Sequence, residues 1–197
     1  MMSNNPRVTP LEMEQIPEDL KTPSKWFKPP ESGSLAMFEA SPGLANVQRV
    51  LANNPQLMMR WMGFAHYLLN ESSISLRDRE LVILRVAVIG EYHYEWGQHV
   101  EIAKRACNFT DEDFEKILKG SEHAGWAEGD KLLIKMIEEL MTQRVVSGET
   151  WDKMIGLHSL EQMMDLVFLV GNYSMLGMAI NTFEVPLDDG LNPIPVY

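Results

Sequence analysis

From residue 41 onward, apolar residues recur three and four apart, and capping signals cut the pattern into helices. Ser41-Pro42 supplies an N-cap and a first-turn proline for a helix to about Leu51. Asn54-Pro55 repeats that signal ahead of residues 56–70, where Leu57, Trp61, Phe64, Ala65 and Leu68 fall at helical spacing. Ser75 caps the next helix, with Asp78 in the position of a capping carboxylate. Its apolar run, Leu81 to Ile89, stops at Gly90, and a second helical pattern starts near Tyr94. Thr110, followed by Asp111, Glu112 and Asp113, opens a helix that ends at Gly120, the first-turn acids complementing the helix dipole. An amphipathic segment runs from Asp130 to Arg144, and a short helix from Ser147 to about Leu157. Ser159 and Gln162 form a capping box for a last long helix, apolar on most sides, that reaches about Asn181. There is no strand-like alternation of useful length and no internal repeat. The chain is expected to be all-α.

The ends break this pattern. Residues 1–40 hold six prolines, Pro6, Pro10, Pro17, Pro23, Pro29 and Pro30, which rules out a long helix there. This segment reads as an extended arm with Trp26, Phe27, Leu35, Met37 and Phe38 to bury. Residues 41–188 form the expected helical domain, and residues 189–197 a proline-punctuated, extended tail. A chain of 197 residues is long enough for one domain with a real core.

Composition narrows the function. The 17 basic and 28 acidic residues leave a net charge of −11 with no basic cluster, which argues against nucleic-acid partners and anionic lipid surfaces. A single cysteine, Cys107, excludes an intrachain disulfide and a CxxC metal knuckle. No signal-peptide pattern and no run of about 18 apolar residues is present, so a cytoplasmic protein without a membrane segment is expected. The 14 methionines read as adaptable core and interface packing.

Candidate chemistry concentrates between Ser75 and Cys107. Glu80 opens the apolar run and Arg85 lies inside it, and unpaired charges in such a setting are costly to bury. On a helix that begins near Tyr94, Glu95 and His99 stand four apart on one face. Two antiparallel helices joined by a short loop bring Glu80 toward that pair, walled by Tyr92, Tyr94 and Trp96, with His93 at the helix start. A histidine beside carboxylates against an apolar wall can move protons near neutrality. On spacing alone, a solvated helix face carrying a Glu-x-x-x-His pair is the commoner arrangement. His66 reads as a satisfied core histidine, and His123 and His158 as solvated or capping residues near helix ends. Asn172 and Tyr173, on the last helix, either line a pocket or make internal hydrogen bonds. No histidine–carboxylate spacing makes a zinc site.

The segment resembles the carboxymuconolactone decarboxylase and alkyl hydroperoxidase D-like superfamily. The peroxidase branch of that superfamily carries a glutamate, eleven residues, C-x-x-C, three residues and a histidine; here the frame reads Glu80, eleven residues, Tyr92, two residues, Glu95, three residues and His99. The flanks L-R-D-R-E-L-V-I-L-R-V-A and E-W-G-Q-H-V-E-I-A-K-R-A are similar too, as is L-V-G-N-Y-S-M-L-G-M-A-I-N-T-F-E-V-P-L-D; the likeness spans about Leu44 to Asp188. It implies a helical fold assembled as a dimer, trimer or hexamer. Both redox cysteines are replaced, by Tyr92 and Glu95, and Cys107 lies eight residues past His99, so it reads as structural.

What survives is more similar to the decarboxylase branch, which the resemblance implies works without metal or organic cofactor. The expected function is a lyase or isomerase acting by proton transfer on a small carboxylated, lactone or aromatic-derived substrate. Glu80, Glu95 and His99 would be catalytic, and Arg85, Tyr92, His93, Tyr94 and Trp96 would meet the substrate. Arg85, turned inward, would pair with Glu80 or grip a substrate carboxylate. The alternative is a non-catalytic small-molecule-binding or assembly protein; a hydroperoxide reductase ranks third.

Overall fold

The computed structural model describes residues 8–18, 21 and 44–196. Among them are eight α-helices and no strand: α1 Asn46–Leu51, α2 Pro55–His66, α3 Leu76–Gly90, α4 His93–Cys107, α5 Asp111–Lys119, α6 Glu128–Gln143, α7 Gly148–Met154 and α8 Leu160–Phe183. The all-α expectation holds. Most of the expected arm, including its aromatic residues, and the Ser41-Pro42 cap lie outside the described residues.

The predicted caps account for four of the eight helix starts. Asn54 accepts a hydrogen bond from the Leu57 N–H, Ser75 from Asp78, and Thr110 from Asp113. Ser159 accepts from the Gln162 N–H, and the Gln162 side chain accepts in return from the Ser159 N–H. Each satisfies backbone donors that a helix start leaves open. The α1 helix begins at Asn46, later than residue 41. Immediately after α2 the chain makes a π turn, Tyr67–Glu71, within the stretch predicted as one helix.

The chain separates into two compact units: residues up to Ser72 with Ala179–Gly190, and Ser73–Met178 with Leu191–Tyr197. In the first, Ile16, Ala52, Met58 and Met62 form a core against which Leu11, Leu44, Leu51 and Trp61 pack. The buried face of α2 is Met58, Met62 and Ala65, while Leu57 and Phe64, which share the helical spacing read from the sequence, are exposed. Apolar residues lie around so much of α2 that the period fits more than one phase.

The second unit holds α3 to α7 and most of α8. Helix α3 is its centre, with every residue from Arg79 to Leu84 buried along with Val86 and Ala87. Ile117, Leu133, Ile134, Ile137, Met154 and Leu166 complete the core around it. Helix α8 is long and apolar enough to cross a membrane by length and composition, although 56% of the qualifying stretch is buried inside the protein. Asp165, Asn172 and Ser174 interrupt a strict run of apolar residues, which is why the sequence criterion passed over it.

Candidate functional site

A two-residue link makes the site. Helix α3 ends at Gly90, Glu91 takes a left-handed conformation, Tyr92 caps α4, and the chain returns along its own path. The reversal sets Glu80 of α3 against His99 of α4, with His99 Nδ1 2.6 Å from Glu80 Oε2. A carboxylate only accepts, so this contact places the proton on Nδ1 and turns Nε2 away from Glu80. On that other side His99 Nε2 lies 3.5 Å from Glu95 Oε2. Glu80 is held in turn by the Arg79 Nε–H, which donates to its Oε1 at 3.3 Å. The Tyr173 ring meets the His99 ring edge-on, centroids 5.2 Å apart.

Burial sets the electrostatics. Glu80 is fully buried and Glu95 and His99 are each 4% exposed, so their charges interact with little screening by water. Burial pushes the Glu95 carboxyl up to about 7; the His99 charge draws it down and Glu80 adds to the rise. Burial disfavours the His99 imidazolium, but the charge and hydrogen bond of Glu80, with Glu95 beyond, outweigh it and raise its pKa above 6.5. Tyr173 is held well above 10, by burial first and then by the two carboxylates, so it is a neutral phenol here. The outcome is a histidine pinned on one side and facing, on the other, a carboxyl group that changes protonation at neutral pH.

The remaining expected site residues divide. Tyr92, Tyr94 and Trp96 are all buried. The Tyr92 ring fills the space left by two glycines: a Cβ on Gly90 or on Gly177 would overlap it. Tyr94 accepts a hydrogen bond through its hydroxyl from Gln98. His93 Nδ1 accepts from the Ile194 N–H of the tail at 3.3 Å.

Arg85 requires a correction, since it neither pairs with Glu80 nor is available to a substrate carboxylate. Its Nε and Nη2 donate to Glu138 at 3.1 and 2.6 Å, and its Nη1 to the Ile117 and Leu118 carbonyls. It ties α3 to the end of α5 and to α6. The arginine on Glu80 is Arg79, which the sequence did not offer because neighbours on a helix point about 100° apart.

Among the histidines, His66 is satisfied as expected, close to Asn70 and Glu71. His123 accepts from the Gly125 N–H in a turn. His158, expected to be solvated or capping, is partly buried, with its Nδ1 inside and no hydrogen-bond partner for that atom among the described residues. Among the described residues no three His, Cys, Asp or Glu side chains are grouped to hold a metal ion. The Cys107 thiol is raised to about 11, chiefly by burial and then by Glu80, and is inert at neutral pH. Dithiol-driven hydroperoxide reduction is therefore expected at the uncatalysed rate. Cys107→Ser is expected to leave native turnover unchanged; robust peroxide consumption lost in that variant would reverse this reading.

Residues 55–128 match the model of the carboxymuconolactone decarboxylase family, a span that includes Glu80, Glu95 and His99. None of the curated proteins matches the sequence significantly. Solved structures share the fold at low identity. A protein of unknown function from Agrobacterium tumefaciens, provisionally described as the antioxidant defence protein AhpD, is 14% identical with a TM-score of 0.65, covering 70% of this chain and 94% of its own. An alkylhydroperoxidase AhpD core, an uncharacterised peroxidase-related protein from Ralstonia eutropha, is 11% identical with a TM-score of 0.67, covering 93% of each chain. A cysteine-to-alanine variant of the debrominase Bmp8, in complex with 2,3,4-tribromopyrrole, is 14% identical with a TM-score of 0.72, covering 95% of this chain and 94% of its own.

Proposed function

We propose that the chain, whose residues 55–128 match the model of the carboxymuconolactone decarboxylase family, is a lyase or isomerase that moves protons on a small carboxylated, lactone or aromatic-derived substrate. The observation that carries this reading is His99 set between two buried carboxylates, one of which titrates at about 7. General acid–base groups work best when their pKa lies near the working pH. Glu80, itself held by Arg79, positions the imidazole and favours its charged form, an effect the Arg79 charge partly opposes. Glu95 and His99 Nε2 form the pair that exchanges a proton with substrate.

In a decarboxylation, the C–C bond to the carboxylate breaks, CO2 leaves, and the electron pair stays on carbon. The proton that this carbon takes up comes from Glu95 or the imidazolium, and solvent restores it. In an isomerisation, the same pair removes a proton from one carbon and returns it to another. Neither route calls for a metal or an organic cofactor. Turnover of a panel of small carboxylated lactones in D2O, followed by NMR and by CO2 release, tests this. Deuterium is expected at the carbon that takes up the proton; an inert panel with no exchange would count against the assignment.

The enclosure of the cluster favours a second reading, since Glu80, Glu95 and His99 are almost wholly inside. A non-catalytic binding or assembly member would keep such a network for stability alone, and the Discussion separates the two.

A homo-oligomer is part of the proposal. Leu160, Met164, Phe168, Met175 and Met178 of α8 lie along one helical stripe, each more than half exposed. Apolar patches of that kind mark contact surfaces. Light scattering is expected to report a dimer, trimer or hexamer at micromolar concentration, and replacing Met164 and Met175 by Lys to dissociate it. A stable monomer would refute this.

A further inference from the structure

Away from the Glu80–His99 cluster, a cavity of about 270 Å³ lies between α4, α5 and the C-terminal tail. Its floor is aromatic and aliphatic, from Trp96, Val100, Phe114 and Leu118, with the Trp96 and Phe114 rings edge-to-face at 6.1 Å. Its polar groups are unbalanced. Glu101, Asp111 and Glu115 line it against one ammonium, that of Lys104. Lys119 pairs with Glu115, but Glu101, only partly exposed on α4, has no ion-pair partner among the described residues.

Asn192 lines the cavity with an amide that can both donate and accept, and beyond it the tail adds acceptors and no donor. Pro193 and Pro195 have no N–H, and the Ile194 N–H is already given to His93 Nδ1. The carbonyls of residues 193–195 accept no hydrogen bond from the described residues. Even the ring surface is already used by a cation, since Lys104 Nζ stands 5.5 Å over the Phe114 ring.

An aromatic floor, surplus carboxylate and unused carbonyls suit one class of ligand: a cation that brings its own N–H donors and an apolar body. We propose that this cavity is a binding site for a small organic ammonium, such as an arylalkylamine, with the tail as one wall. Lys104 then acts as a built-in competitor for the Phe114 face. The site is separate from the proton-transfer cluster and does not depend on what that cluster does.

Isothermal titration of the full chain with phenethylammonium tests it, with 2-phenylethanol as the neutral counterpart and phenylacetate as the anion. Saturable binding of the amine is expected, about tenfold or more stronger than of the alcohol, the gap expected of a desolvated cation over an aromatic face. The acid should bind no better than the alcohol. Two single variants carry opposite signs: Glu101→Gln should weaken amine binding several-fold, and Lys104→Met should strengthen it. His99→Ala should leave it unchanged, so failure here and failure of the proton-transfer reading are distinguishable. Equal binding of amine and alcohol, preference for the acid, no saturation, or a Lys104→Met variant that binds the amine more weakly would overturn the proposal.

Discussion

Raising the pH from 5 to 8 is expected to weaken the fold by on the order of 3 kcal/mol, and Glu95→Gln to abolish most of that loss. In the folded protein Glu95 keeps its proton to about 7, against an ordinary value of 4.5. Between those values the folded state binds more protons than the unfolded chain, so stability falls as pH rises, by about 1.4 kcal/mol per pH unit. His99 acts in the same direction: its raised pKa gives a contribution complete below about 6.5 and lost as pH climbs through the folded value. Asp113 and Glu139, whose pKa values are lowered, work the other way, but only as pH falls below the ordinary carboxylate range. The window above pH 5 therefore belongs to the buried cluster. Urea unfolding at four pH values, read by circular dichroism, measures the slope. A flat curve between 5 and about 6 is expected for Glu95→Gln, with the His99 slope alone remaining above. Parallel curves for the two proteins would show that Glu95 is not held protonated.

That variant touches a feature legible in the sequence, and much else was legible for the same reason. Caps are local chemistry, a side-chain oxygen three residues from the amide it accepts from, so Asn54, Ser75, Thr110 and Ser159 could be read directly. The Glu95–His99 pair follows from helical spacing, and its meeting with Glu80 from a link too short for anything but a reversal. What failed needed distance or phase. Arg85 finds Glu138 53 residues away, a partner that no spacing rule selects. Arg79 meets Glu80 from the adjacent position on a buried helix, a contact that helical spacing does not select. Tyr173 closes on His99 from a helix whose apolar surroundings gave no hint of which face turned inward. In α2, apolar residues on almost every side made burial of Met58 and exposure of Leu57 a matter of packing, not pattern.

Loss of the imidazole should be the most damaging single change. His99→Ala is expected to reduce turnover by about 10²- to 10⁴-fold, the usual contribution of a positioned acid–base group. Glu95→Gln should fall in the same range, because it removes the partner that titrates beside Nε2. Glu80 acts through His99 and is a positioning residue, so its test needs a sharper readout. Glu80→Gln keeps a hydrogen-bond acceptor near Nδ1 but removes the charge that raises the His99 pKa, and the limb of the pH–rate profile that reports the histidine should move to lower pH. The His99→Ala, Glu80→Gln double variant should be no slower than His99→Ala alone, since a residue that works by orienting another has nothing left to orient. A structural network predicts the reverse: each substitution leaves a buried polar group unsatisfied and costs about 1–3 kcal/mol of stability, with ligand binding unaltered. Melting curves and the pH–rate profile, measured on the same preparations, separate the cases. A Glu80→Gln protein that melts early yet keeps its ligand affinity and an unshifted profile would move the cluster from catalysis to scaffolding.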